Sequence, residues 1–154
     1  MTIEERLAAL GITLPAPPPA AAAYVPWTRS GDLVFTAGQL PLDHGELVAR
    51  GVLGDGLDLP TGRRCARACA VNLLAQMRAA AGDLAQVRRV IKVTVFVASA
   101  PAFTDQHLVA NGCSELLAEV LGEAGRHARA AVGVACLPMG APVEAEAVVE
   151  VASG

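Results

Sequence analysis

The chain is poor in aromatic rings, with three Phe, one Tyr and one Trp among 154 residues. So few π-faces leave little for unpaired bases to stack on. Positive charge is also scarce. The formal net charge is −3, and Lys92 is the single lysine among twelve basic residues. That balance supplies no electrostatic footprint for DNA or RNA, and no nucleic-acid partner is expected. No apolar run approaches the ~20 residues needed to cross a bilayer, and no basic start precedes an apolar segment at the N-terminus. A cytoplasmic protein without a membrane partner is the expectation. The four cysteines form no pair of closely spaced units, and His44, His107 and His127 are scattered, so neither zinc nor a disulfide framework is expected.

Apolar residues are plentiful, at 53% hydrophobic, enough for one domain with its own core. "TIEERLAALG" carries a capping-box pattern, Thr2 to Glu5, before Leu7 and Leu10, and Gly11 stops the helix. Pro15 to Ala23 is an extended connector, because its prolines forbid helix. Residues 1–23 are therefore a helix and Pro-rich connector ahead of an α+β domain spanning 24–154. From Tyr24 the chain reads as a hairpin, turning at Ser30-Gly31-Asp32 and continuing to Gly38. Residues 42–60 read as a loop with room for a short strand. Thr61 to Ala81 is a long helix with Cys65, Cys69, Leu73 and Met77 along one stripe.

Arg88 to Ala100 alternates as a central strand. Ile91, Val93, Val95 and Val97 fall on one face, and Val90, Lys92, Thr94 and Phe96 on the other. Thr104 to Leu121 is a second long helix, and two alternating strands close the chain. The order suits a mixed sheet with both long helices on one face. The other face carries Val90, Phe96, Ala131 and Val148 and needs cover, so oligomerisation is expected.

The last two strands, in "RHARAAVGVACLP" and "PVEAEAVVEVA", each place a charge among small apolar residues: Arg129 and Glu144. If the two strands adjoin as the final hairpin, the two charges can flank one small anion at a subunit boundary. Taken alone, each residue has a plainer reading. Arg129 suits a surface or interface ion pair, and Glu144 shares its face with Glu146 and Glu150. Tyr24 suits ordinary packing, Asn111 a helix-surface amide, and His127 a strand-end surface histidine.

Together, "FTAGQLP", "IKVTVFV" and "ARAAVGVACLP…VEAEAVVEVA" resemble the RidA family, also called YjgF-like and historically L-PSP endoribonuclease. The resemblance runs from about Tyr24 to Ala152, and the N-terminal segment looks like an extension found in one longer branch. It implies a chorismate-mutase-like fold, a mixed sheet with two long helices on one face, assembled as a homotrimeric barrel with clefts between subunits. It implies that Arg129 grips a substrate carboxylate and that Glu144 holds the attacking water. Tyr24 would help close the cleft, and Asn111, Gly38 and Ala131 would complete the substrate site. Two positions depart from the deaminase pattern: Ala37 stands where Ser is frequent, and Ala131 where Cys is.

The implied chemistry is hydrolysis of 2-aminoacrylate or related 2-imino acids to a 2-keto acid and ammonia, with no metal or organic cofactor. A planar carboxylate suits the guanidinium fork, and an electrophilic imine needs only a positioned water. Two other readings stay open. One is a non-catalytic trimer binding a keto acid or another small carboxylate metabolite, and the two alanines add weight to it. The other is the ribonuclease of the historical label, which the acidic, aromatic-poor composition disfavours.

Overall fold

Thr2 opens the first helix, α1 (Ile3–Ala9), through the reciprocal bonds its pattern predicts. The Glu5 amide donates to Thr2 Oγ1 at 3.1 Å, and the Thr2 amide donates to Glu5 Oε2 at 2.7 Å. The computed structural model describes all 154 residues. After the connector come β1 (Trp27–Ser30) and β2 (Leu33–Thr36), then two minimal strand pairs, β3 (Leu42–Asp43) with β4 (Glu46–Leu47) and β5 (Val52–Leu53) with β6 (Gly56–Leu57). The remaining elements are α2 (Leu59–Ala81), β7 (Val87–Ala98), α3 (Gln106–Leu121), β8 (Ala128–Val134) and β9 (Val143–Val151). The first strand starts at Trp27 rather than Tyr24, just past Pro26, which has no N–H to give a ladder.

Helix α2 begins two residues before the expected Thr61. Asp58 caps it, accepting from the Thr61 amide at 2.9 Å, and Pro60 fits the first turn, where no intrahelical N–H is needed. Gly82 ends it at φ +85°, a conformation that suits glycine. Where α2 and α3 touch, Gly112 is the enabling residue. A Cβ there would collide with the backbone carbonyl of Arg63, so only glycine lets the helices approach this closely.

The main sheet runs β1-β2-β9-β7-β8. Every pairing is antiparallel except β7 with β8, whose parallel connection needs the long crossover that α3 supplies. Strand β9 alternates strictly. Val143, Ala145, Ala147, Val149 and Val151 are buried, while Glu144, Glu146, Val148 and Glu150 face the other way. The buried set meets Val93, Val95 and Val97 of β7 and the inner faces of α2 and α3, including Cys65, Cys69, Leu73 and Met77. Each fully buried Val or Leu of this layer contributes about 1.5–3 kcal/mol from water exclusion. The mixed sheet with both long helices on one face is the expected fold.

Three expectations need correction. The strands holding Arg129 and Glu144 are not a hairpin, because β7 lies between β9 and β8. Residues 135–142 carry the chain past the end of β7 through a turn at Pro138–Gly140, and Pro142 O accepts there from the Ala98 amide at 2.9 Å. The small apolar face of β9 suits a central strand, whereas β8 exposes Val132 and Gly133 and takes the edge. Val90 is buried with the core, because register shifts between Val87 and Lys92 move it to the helix side and leave Ile91 half-buried. Ala131 also packs against the core cluster, not on the open face. The open face keeps Phe35, Phe96, Val132 and Val148, with Phe35 42% and Val132 44% exposed.

The N-terminal segment lies on the same body. Arg6 Nη1 donates to Val120 O at 3.2 Å, and Leu14 joins the core. The connector, which offers few N–H groups, is fixed through its carbonyls. Pro18 O accepts from Gln76 Nε2 at 2.8 Å and Pro15 O from Arg78 Nη2 at 3.2 Å. No helix is long and apolar enough to cross a membrane.

Candidate functional site

Arg129 sits on edge strand β8 opposite Val93, so it shares the helix-facing side of the sheet and reaches α3. Its Nη1 donates to Asn111 Oδ1 at 3.0 Å and to Ser114 Oγ at 3.1 Å, and its Nη2 donates to the carbonyl of His107 at 3.0 Å. The three acceptors climb successive turns of one helix face. A guanidinium has five N–H donors. Three are engaged, leaving one on Nε and one on Nη2, nitrogens that share an edge of the planar group. That edge can meet a carboxylate in the two-bond geometry arginine favours. Ala131, two residues on, lies on the same side of β8 beside Val95.

His127 precedes Arg129 by two residues and is half-buried rather than a solvated strand end. Its Nδ1 is 2.7 Å from Gly125 O, which can only accept, so Nδ1 carries the proton. The neutral ring therefore presents an unprotonated Nε2, 2.8 Å from Ser114 Oγ, and the serine hydroxyl donates to it. Burial pushes His127 below the ordinary histidine range, and the Arg129 charge adds to that shift against the Gly125 bond. Ser114, His127 and Arg129 line a surface cavity of about 320 Å³ with Ala118, Gly125 and Arg126.

Glu144 belongs to the other side. It pairs across with Phe96 on the open face, and its carboxylate rests on Gly38, where any Cβ would clash with it. Gly38 is held in place by its neighbour: Gln39 exchanges two backbone bonds with Ala145, at 2.7 and 3.0 Å. The Gln39 side chain donates to Ala37 O at 3.2 Å, and its Oε1 accepts from Gln76 at 3.3 Å. Burial raises the Glu144 carboxyl above its ordinary value, and Glu146 beside it raises it further. Tyr24 is 50% exposed, and its hydroxyl accepts from the Ala21 amide at 3.2 Å.

The structure thus brings Arg129, Asn111 and Ala131 together on one face and Glu144 with Gly38 on the opposite one. Two strand spacings, roughly 10 Å, also separate β9 from β8. Tyr24 makes no bond to either group. Ser114 was not legible as a site residue. The available signal was its place one helical turn after Asn111, which puts both on the face Arg129 reaches.

Residues 4–146 match the family described as "YjgF/chorismate mutase-like, putative endoribonuclease". The chain is 49% identical over 149 residues to "Protein TCP17" of Trypanosoma cruzi, covering 96% of this chain and 93% of that one. A crystal structure of a protein of unknown function from Agrobacterium tumefaciens is 55% identical, with a TM-score of 0.90, covering 97% of this chain and 92% of that one. The E. coli protein TdcF, solved with bound serine, is 28% identical with a TM-score of 0.64, over 88% of this chain and 93% of that one. The family model spans both halves of the site and the core between them, and the chain belongs to the YjgF/chorismate mutase-like family.

Proposed function

We propose that this protein hydrolyses reactive enamines and imines, 2-aminoacrylate and related 2-imino acids, to 2-keto acids and ammonia. The observation that carries the reading is the Arg129 guanidinium, fixed by three bonds to α3 with two N–H donors free. Those donors fit a substrate carboxylate. The serine bound in the related TdcF structure is itself a small carboxylate and supports the same ligand class.

The sheet's two half-sites face opposite ways, so one ligand meets both only across a boundary between copies. We infer a homotrimer in which Arg129 of one copy and the Glu144–Gly38 half of a neighbour line each cleft. The exposed Phe35 and Val132 on the open face supply apolar area for that contact. A water held by Glu144 adds to the imine carbon while its proton passes to the carboxylate and on to nitrogen. The carbinolamine then expels ammonia. A carboxyl raised above its ordinary value exchanges a proton more readily near neutrality than a solvated one.

A non-catalytic carboxylate-binding trimer is the second reading, favoured by Ala37 and Ala131, which bring no hydroxyl or thiol to the site. Ammonia and keto-acid release from freshly generated 2-aminoacrylate separates the two. Release that disappears in Arg129→Ala supports the enzyme. Binding of 2-oxobutyrate without any release supports the binder.

A further inference from the structure

The cavity beside Arg129 contains a hydroxyl, a base and a group that orients the base. Ser114 donates to His127 Nε2 at 2.8 Å, and Gly125 O fixes the ring through Nδ1 at 2.7 Å. That is the relation by which a serine is made nucleophilic: an adjacent neutral imidazole, held in the right tautomer by a third partner. A guanidinium touches the hydroxyl as well, since Arg129 Nη1 donates to Ser114 Oγ at 3.1 Å. Its charge favours the developing alkoxide. Arg126, exposed at the rim, is held by nothing stronger than a 3.6 Å contact to Glu123. It is free to swing onto a second negative centre.

We propose that Ser114 and His127 form a nucleophile–base pair that hydrolyses short esters bearing a free carboxylate. The positive charge of Arg129 draws the carboxylate into the cavity, where the ester carbonyl meets Ser114 Oγ. The Oγ–carbon bond forms as the hydroxyl proton moves to His127 Nε2 and the carbonyl electron pair moves onto oxygen, near Arg126. Collapse of the tetrahedral adduct expels the alkoxide, which takes the proton from His127 as the free alcohol. Water then attacks the acyl-serine, gives a proton to His127, and releases the carboxylic acid as that proton returns to Oγ. No oxidant or cofactor enters the balance. The proposal stands apart from the deaminase reading, which uses neither Ser114 nor His127 as a reacting group.

The test is covalent labelling of the full-length protein with an alkyl fluorophosphonate. A single adduct is expected, mapped by peptide mass to Ser114, with labelling at least tenfold slower in His127→Gln. Ser114→Cys gives a second measure: iodoacetamide should alkylate Cys at this position faster when His127 is present than in the double variant. With 4-nitrophenyl esters, a hemisuccinate should be cleaved at least tenfold more efficiently than the acetate, and Arg129→Ala should erase that preference. No adduct at Ser114 in the folded protein, or equal labelling with and without His127, overturns the proposal. A protein that labels at Ser114 yet releases no ammonia from 2-aminoacrylate keeps this inference and loses the deaminase reading.

Discussion

Arg129 and Glu144 leave opposite faces of the same sheet, because Val93, which pairs with Arg129, is three residues from Phe96, which pairs with Glu144. An odd offset along a strand reverses the side chain's direction. One ligand can therefore touch both groups only where two copies meet.

The first prediction is subunit complementation. Arg129→Ala and Glu144→Gln should each abolish the proposed deaminase activity. Co-folded mixtures should regain a fraction of it, because some clefts would then combine an intact Arg129 with an intact Glu144 from its neighbour. Mixtures as inactive as the parents would rule out a cleft that combines Arg129 of one copy with Glu144 of another. Sedimentation of the unmixed protein as a stable monomer at micromolar concentration would remove the cleft altogether.

Arg129→Ala should weaken 2-oxobutyrate binding by roughly 100-fold or more, since two charge-assisted hydrogen bonds contribute about 1.5–3 kcal/mol each. Arg129→Lys should also bind poorly. One ammonium cannot hold Asn111, Ser114 and the His107 carbonyl while still offering two parallel donors. Titration calorimetry reads both variants. Wild-type affinity in the lysine variant would mean that charge alone suffices.

Glu144 gives a pH signature. Its carboxyl is raised in the folded state by burial and by Glu146, so folding favours the protonated form. The stability linked to that preference is fully present below the unfolded value and is lost as pH rises through the folded value. Glu144→Gln should therefore raise Tm at pH 7–8 relative to wild type and have little effect near pH 4. A larger gain at low pH would reverse the assignment.

Gly112→Ala should destabilise the protein by about 1–3 kcal/mol, because the new methyl meets the Arg63 carbonyl and must push α2 from α3. Thermal unfolding measures it. A neutral result would show that the helix pair yields without cost.

The thiols should divide by burial. Cys136 is exposed, whereas Cys65 is raised to about 11 and Cys113 to about 12, and Cys69 is also raised, each mainly by burial. Iodoacetamide should modify Cys136 alone in the native protein and all four after denaturation. A second fast-reacting thiol would indicate an opening of the helix layer.

Much of this architecture was readable because periodicity reports burial. The alternation of Val143 to Val151 and the stripe from Cys65 to Met77 appear in the structure as the sequence pattern requires. Strand order was not readable that way. Alternation says which side chains share a face of one strand, but nothing in it makes β7 the neighbour of both β8 and β9. The register shift at Val90 escaped for a related reason: a bulge moves the residues before it to the other face, until a second shift before Arg89 returns Val87 to the core, without altering composition. Ser114 and His127 were hidden because their partnership joins a helix to the segment just before β8, a contact that no local spacing encodes.

The three bonds that tie Arg129 to α3 also bear on the thermodynamics of recognition. A free arginine side chain carries about 2 kcal/mol of rotamer entropy, and a mobile one would surrender it each time a ligand arrived. Here that freedom is given up once, during folding. Association with a small carboxylate should then carry a smaller entropic penalty at this residue, and affinity for so small a ligand can rest on very few contacts.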